Sequence, residues 1–159
     1  MPYADLTILI IDDNPTEIKL LQQAVLHELE NVHLEVIING ADIITALKNS
    51  HVRKAPDAII LDCDMPIMAG HGFLTALVNH EHWSQIPLFI LTNGQSPQLN
   101  DRCKRIGLIS LKRRPTTPTL YEDFARIVGQ VIWDAKHFAE AKASRLAESD
   151  VDHLEFPVP

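Results

Sequence analysis

The stretch LTILIIDDNP, residues 6–15, decides the fold of this 159-residue chain. Its apolar run is too short for a buried helix and ends at two acidic residues, which is typical of a strand covered on both faces of a parallel sheet. Asn14 can cap a following helix, and Pro15 suits the first helical position. The stretch therefore predicts a central strand that leads, through two carboxylates, directly into a helix.

The rest of the chain repeats this alternation of strand and helix. Short apolar runs over residues 33–38, 57–62, 87–92 and 108–111 predict four more strands. Five alternations predict an α/β fold, a doubly wound five-stranded parallel sheet with helices on both faces. The helices are expected to begin near Pro15, Ala41, Gly70, Pro97 and Thr119.

Composition and charge exclude several classes of function. The formal charge of −7 disfavours nucleic-acid binding, which needs clustered Lys and Arg to displace counterions from phosphates. The longest apolar runs are far short of the ~20 residues that span a bilayer, so no membrane segment is expected. The N-terminus has neither a basic region nor an apolar signal core, and the two cysteines do not make a disulfide framework. A cytoplasmic protein is the expectation.

Polar side chains follow four of the five predicted strands. Asp12 and Asp13 end the first, Asp62 ends the third, Thr92 ends the fourth, and Arg114 follows the fifth. Any one of these residues alone is more often a turn or capping residue. Their conjunction is more specific, because ligands of open α/β sheets bind outside the carboxyl ends of the strands.

This set of side chains indicates phosphoryl chemistry. Clustered carboxylates repel one another unless a cation joins them, and hard oxygen ligands suit Mg²⁺. A carboxylate beside such a cation can attack a phosphoryl donor and form an acyl phosphate. A hydroxyl and a fixed cationic side chain would hold the oxygens of the transferred group.

At this point the residues resemble a known family. The motifs are IIDDN at residues 10–14, LDCDMPIMAG at 61–70 and LTN at 91–93. From about residue 7 to residue 131, the chain resembles the receiver domain of two-component response regulators, of the single-domain type with a flavodoxin-like fold. The resemblance implies that a sensor histidine kinase or phosphotransfer protein phosphorylates Asp62.

The resemblance also implies roles for the other residues. Asp13 and Asp62 would ligate Mg²⁺, Asp12 would act through water, and the main-chain carbonyl of Asp64 would complete the protein ligands. Thr92 would move to bond the phosphoryl group and so couple the site to the surface of the protein.

The chain departs from the family pattern at three positions near this site. The family has Lys-Pro after the fifth strand, where this chain has Arg114 before Pro115. Arg114 is therefore assigned the cationic role, with Lys112 as the fallback. A guanidinium is a rigid fork, so Arg114 could grip two phosphoryl oxygens or pair with Asp62 and hinder the switch. Asn93 stands where the family prefers a very small residue, and the acidic Asp64 is expected to alter the lifetime of the phosphorylated state.

The predicted last helix, from Thr119 to about Glu148, is longer than the fold needs. We therefore divide the chain into a receiver domain, residues 1–133, and a C-terminal helix extension and tail, residues 134–159. A separate output domain is not expected in the residues that follow. An apolar stripe with nothing in the chain to cover it predicts a homodimer, the alternatives being a helix that folds back or protrudes, or contact with another partner. The predicted interface residues are Ile132, Trp133, Phe138 and Leu146.

Two other functions compete with the phospho-switch. The pair Asp62 and Asp64 after a strand resembles the opening motif of haloacid-dehalogenase-type phosphatases, but Met65-Pro66 follows it and Asp12 would be left unexplained. An enzyme is therefore not expected. A pseudo-receiver, a binding module that works without phosphorylation, is the stronger rival, favoured by Arg114 and Asn93.

Overall fold

A computed structural model of the chain describes residues 5–38, 45, 55–64, 72–94, 101 and 109–151. All neighbouring strands of its five-stranded sheet run parallel, in the order β2-β1-β3-β4-β5. This order confirms the predicted doubly wound sheet, since the chain moves outward from β1 to one side and then returns to build the other. The strands are β1 (Leu6–Ile11), β2 (Val32–Ile37), β3 (Ala58–Asp62), β4 (Leu88–Thr92) and β5 (Ile109–Arg113).

Three helices lie within the described residues, α1 (Pro15–Glu28), α2 (Gly72–Val78) and α3 (Pro118–Val151). The helix start at Pro15 is confirmed, because the Asn14 side chain accepts the N–H of Thr16 at 3.0 Å. The helices predicted near Ala41 and Pro97 lie outside the described residues.

The sheet separates two apolar clusters, as a sheet buried on both faces requires. Alternate residues of β1 face opposite sides, with Ile8 and Ile10 packing towards α1 and α3, and Leu9 and Ile11 towards α2. Ile8, Ile10 and Ile11 are fully buried. Burying one such side chain stabilises the fold by roughly 1.5–3 kcal/mol, so β1 is a main source of its stability.

The bounds of β2, β3, β4 and β5 differ from the sequence prediction by one or two residues. β2 begins one residue earlier than residue 33, and β5 extends two residues beyond Leu111 to Arg113. The extension has a physical reason, because Lys112 and Arg113 continue the register with Leu91 and Thr92 of β4. Backbone pairing sets the end of a strand, whereas the prediction followed side-chain polarity.

The start of the apolar stripe on α3 is covered, which corrects one prediction. Ile132 is 1% exposed and belongs to the cluster between α1, α3 and the sheet, so it is not available for an interface. Trp133 is partly buried and packs against the same cluster. The expectation that these two residues have nothing to cover them was wrong, because both pack against residues of α1 and the sheet.

Two ion pairs join α3 to other elements of the fold. Arg126 Nε lies 3.0 Å from Glu28 Oε2 at the end of α1, and Lys136 Nζ lies 2.9 Å from Asp57 Oδ1 before β3. Phe138 is 74% exposed, and the Leu146 side chain lies outside the described residues. The division at residue 133 stays a prediction. No helix in the described part of the chain is long and apolar enough to cross a membrane.

Candidate functional site

The strand register gathers the predicted site residues at one edge of the sheet. Ile11 pairs with Leu61, so Asp12 and Asp62 follow adjacent positions of neighbouring strands. Thr92 pairs with Arg113, and the backbone N–H of Arg114 donates to the Thr92 carbonyl at 3.0 Å. The carboxyl ends of β1, β3, β4 and β5 therefore form one site.

Three carboxylates at this edge are close enough to share a cation. Asp12, Asp13 and Asp62 each offer one oxygen, and these oxygens all lie within 4.8 Å of one another. Asp12 and Asp62 are buried, whereas Asp13 is exposed and leaves the group open to solvent. Hard oxygen donors with an open side fit Mg²⁺, which keeps part of its water shell.

Arg114 forms an ion pair with Asp62, the candidate phosphoacceptor. Its guanidinium forms hydrogen-bonded ion pairs with Asp62 Oδ1 through Nη2 and with Glu17 Oε2 through Nη1, and Nη1 lies 3.4 Å from Asp12 Oδ2. The side chain is 5% exposed. Of the two arrangements considered from the sequence, this is the one in which Arg114 pairs with Asp62. The side chain of the fallback residue Lys112 lies outside the described residues.

Glu17 is a site residue that the sequence analysis missed. It lies in the first turn of α1, three residues after the capping Asn14, where an acidic residue usually indicates only a helix start. The fold instead turns its carboxylate towards Arg114, which comes 97 residues later. Only the assembly of the sheet brings Arg114, which follows β5, within reach of the first turn of α1, so no local pattern could have shown this pair.

Both side-chain oxygens of Asp64 accept hydrogen bonds from residues at the end of β4. Thr92 Oγ1 donates to Asp64 Oδ1 at 3.0 Å, and the backbone N–H of Asn93 donates to Oδ2 at 2.8 Å. Arg114 Nη2 lies 3.7 Å from the same Oδ2. The sequence analysis assigned Asp64 a main-chain ligand and an effect on lifetime, and it did not foresee these side-chain contacts. They depend on the register between β3 and β4.

Burial governs the acid–base behaviour of the site. Burial raises the pKa of Asp62, and the charges of Asp12 and Asp64 raise it further, against the hydrogen bond from the Asp64 N–H and the positive charge of Arg114. The pKa values of Asp12 and Glu17 are also raised, mainly by burial. The positive charge of Arg114 therefore does not offset the combined effect of burial and neighbouring carboxylates on these pKa values, and a second cation would be favoured here.

Comparison with known proteins identifies the family of this arrangement. Residues 8–113 match the family model described as the response regulator receiver domain. The chain is 32% identical over 90 residues, 57% of its length, to the sensor histidine kinase CheAY of Helicobacter pylori. It spans 11% of that kinase and less than half of each of the other curated relatives compared.

Solved structures agree on the fold. The response regulator RPA3017, from red light signalling in R. palustris, has a TM-score of 0.66 at 16% identity, covering 77% of this chain and 90% of that one. The receiver domain of the sensor histidine kinase PA1611 of Pseudomonas aeruginosa PAO1, whose active-site cleft coordinates a magnesium ion, has a TM-score of 0.63 at 19% identity, covering 81% and 98%. The chain has the fold, the acidic edge and the sequence motifs together, and it belongs to the response regulator receiver domain family.

Proposed function

We propose that this chain is a phospho-switch of a two-component system in which Asp62 accepts a phosphoryl group from a sensor histidine kinase or phosphotransfer protein. The observation that supports this most directly is the position of the Asp62 carboxylate, which lies in one group with Asp12 and Asp13 and pairs with Arg114. The family supports the signalling role, since receiver domains are generally signalling modules rather than enzymes. That the receiver acts as a single domain in the cytoplasm stays a prediction.

The chemistry assigned to Asp62 is a displacement at phosphorus. A carboxylate oxygen of Asp62 attacks the phosphorus, the bond from phosphorus to the donor atom breaks, and its electron pair leaves with the donor. Bound Mg²⁺ would offset negative charge on the transferring group. Asp13 and Asp62 would ligate the ion with Asp12 acting through water and the Asp64 carbonyl completing the ligands. Arg114 and Thr92 would hold phosphoryl oxygens.

Intact-mass measurement tests this proposal. The full-length protein, incubated with Mg²⁺ and acetyl phosphate, is expected to gain the mass of one phosphoryl group. A protein that gains none with this donor or with a phosphorylated phosphotransfer protein would instead be the pseudo-receiver. The ion pair between Arg114 and Asp62 is the observation that favours that second function, because it occupies an oxygen of the candidate nucleophile.

Removal of Asp13 is expected to abolish Mg²⁺ binding. Wild-type protein should bind Mg²⁺ weakly without phosphate, because Mg²⁺ gives up its water reluctantly and Arg114 already neutralises part of the site. Asp13→Ala removes one of the two carboxylates assigned as direct ligands, so calorimetric titration should show no binding in the range where wild type saturates. Glu140→Gln, an exposed position on α3, is the charge-matched control and should bind as wild type does. Unchanged binding in Asp13→Ala would disprove the ligand assignment.

We further propose that the protein forms a homodimer through an exposed stripe of α3. The stripe differs from the predicted one, because Ile132 is buried. Its members are separated by seven, four and seven residues, which places them within roughly 20° of one line along a helix. Burying each side chain is worth roughly 1.5–3 kcal/mol, and two copies of the stripe together would exceed the lower estimates of the cost of association. The stripe consists of Leu120, Ile127, Val131 and Phe138, whose side chains are 36–74% exposed.

A single charge in the stripe is expected to separate the two chains. Phe138 is its most exposed member, and Phe138→Glu would place a carboxylate in an apolar contact, where desolvation is costly. Sedimentation at tens of micromolar should show a dimer for wild type and a monomer for this variant. Ala139→Glu adds the same charge to the neighbouring exposed position, about 100° around the helix, and should remain dimeric. A monomeric wild-type protein would rule out the homodimer.

A further inference from the structure

We propose that the Asp64 carboxylate is an internal competitor of the phosphoryl group, and that it determines how readily the site accepts one. It occupies the donors at the end of β4 that a phosphoryl group on Asp62 would need. This inference rests on the proposed function, since it concerns the same site and the same reaction.

The backbone turn after β3 places Asp64 for this role. The Asp64 N–H donates to Asp62 Oδ1 at 2.8 Å, so the backbone of Asp64 lies beside the Asp62 carboxylate. The Asp64 side chain then reaches across to the end of β4, where one oxygen accepts from Thr92 and the other from Asn93. Donors from β4 and the Arg114 guanidinium after β5 thus converge on a single carboxylate next to Asp62.

A carboxylate and a terminal phosphoryl group present similar anionic oxygens to such donors. The Thr92 hydroxyl has one proton, which it gives either to Asp64 Oδ1 at 3.0 Å or to the Gly94 carbonyl at 3.1 Å. To donate to a phosphoryl oxygen, Thr92 must turn this proton away from both acceptors, and so give up its hydrogen bond to Asp64. The phosphoryl group also brings negative charge beside the Asp64 carboxylate, and like charges at this distance oppose its arrival. Both effects weaken acceptance of the phosphoryl group.

A purely structural role for Asp64 makes a different prediction. If Asp64 only fastened the turn after β3 to β4, its removal would loosen the site and leave the affinity for a phosphoryl analogue unchanged or lower. Competition predicts a higher affinity, because the donors are released and a negative charge is removed. The direction of the change in affinity therefore distinguishes the two roles.

Titration with beryllofluoride in the presence of Mg²⁺ measures this affinity, because beryllofluoride adds to a carboxylate as a phosphoryl analogue. The full-length wild type, Asp64→Ala and Asp64→Asn would be compared, with the Asn93 amide followed by NMR. Asp64→Asn keeps the volume of the side chain and one acceptor oxygen, and so guards against a variant that merely disorders the turn. Glu140→Gln controls for the loss of one negative charge elsewhere.

We expect the dissociation constant of beryllofluoride to fall about tenfold or more in Asp64→Ala and by a smaller factor in Asp64→Asn, a tenfold change being about 1.4 kcal/mol. With acetyl phosphate, the half-saturating donor concentration should fall in the same order. Equal or weaker binding in both Asp64 variants would overturn the inference while leaving the phospho-switch intact. If no form bound beryllofluoride or accepted phosphate, the proposed function itself would fail, and this inference with it.

Discussion

Replacing Asp62 by Asn is expected to change the phosphoryl adduct from one per chain to none. The amide of Asn has nearly the same shape and can still accept the Asp64 N–H, but it does not act as a nucleophile and has no negative charge to hold Mg²⁺. The measurement is intact mass after incubation with Mg²⁺ and acetyl phosphate, in parallel with wild type.

The matched control uses the same substitution at the other end of β3. Asp57 precedes the strand, accepts the Thr7 N–H at 2.8 Å and lies far from the carboxyl edge of the sheet. Asp57→Asn should therefore be phosphorylated as wild type is. An adduct that persists in Asp62→Asn would assign the nucleophile to another residue, and Asp13 would be the first to examine.

Removing the charge of Arg114 is expected to destabilise the fold by about 3–5 kcal/mol at neutral pH, the range found when one partner of a buried ion pair is lost. Arg114→Met keeps much of the length of the side chain but leaves the carboxylates of Asp62, Asp12 and Glu17 without their shared cation. The stability of Arg114→Lys should lie between that of Arg114→Met and that of wild type. An ammonium is a compact point charge and, unlike the forked guanidinium, cannot bridge these carboxylates. Urea unfolding without Mg²⁺ measures both variants.

The loss of stability caused by Arg114→Met should become smaller as the pH falls. Burial already raises the pKa values of Asp62, Asp12 and Glu17 in the folded protein, and loss of the nearby positive charge would raise them further. A carboxyl group with a raised pKa in the folded state gains stability as it takes up its proton. This gain is complete below the ordinary values of 3.8 for Asp and 4.5 for Glu, and it is lost as the pH rises through the raised pKa.

Unfolding at pH 7.5 and at pH 5 therefore tests the electrostatic origin of the deficit. The variant should approach wild type at the lower pH, and Mg²⁺ should stabilise the variant more than wild type at the higher pH, because it replaces the missing charge. A deficit that is equal at both pH values would show that Arg114 acts through packing alone.

The sequence by itself determined the alternation of strands and helices along the chain and the side chains that follow the strands. The apolar run before Asp12 was too short for a helix, and its capping Asn14 and Pro15 defined the start of α1. Given five such runs, the rules of parallel sheets place the residues that follow them at one edge, so the sequence alone predicted that Asp62 and Thr92 lie there. This prediction succeeded because strand periodicity and helix capping are local properties of the chain.

Only the tertiary structure decided which of these side chains touch. The contacts of Glu17 with Arg114 and of Asp64 with Thr92 and Asn93 join residues 97, 28 and 29 positions apart, and they depend on register and side-chain reach. The burial of Ile132 was likewise decided by its packing against residues of α1 and the sheet. Local patterns in a sequence report what a segment favours, whereas these contacts arise where separate segments meet, and their geometry exists only after the sheet has formed.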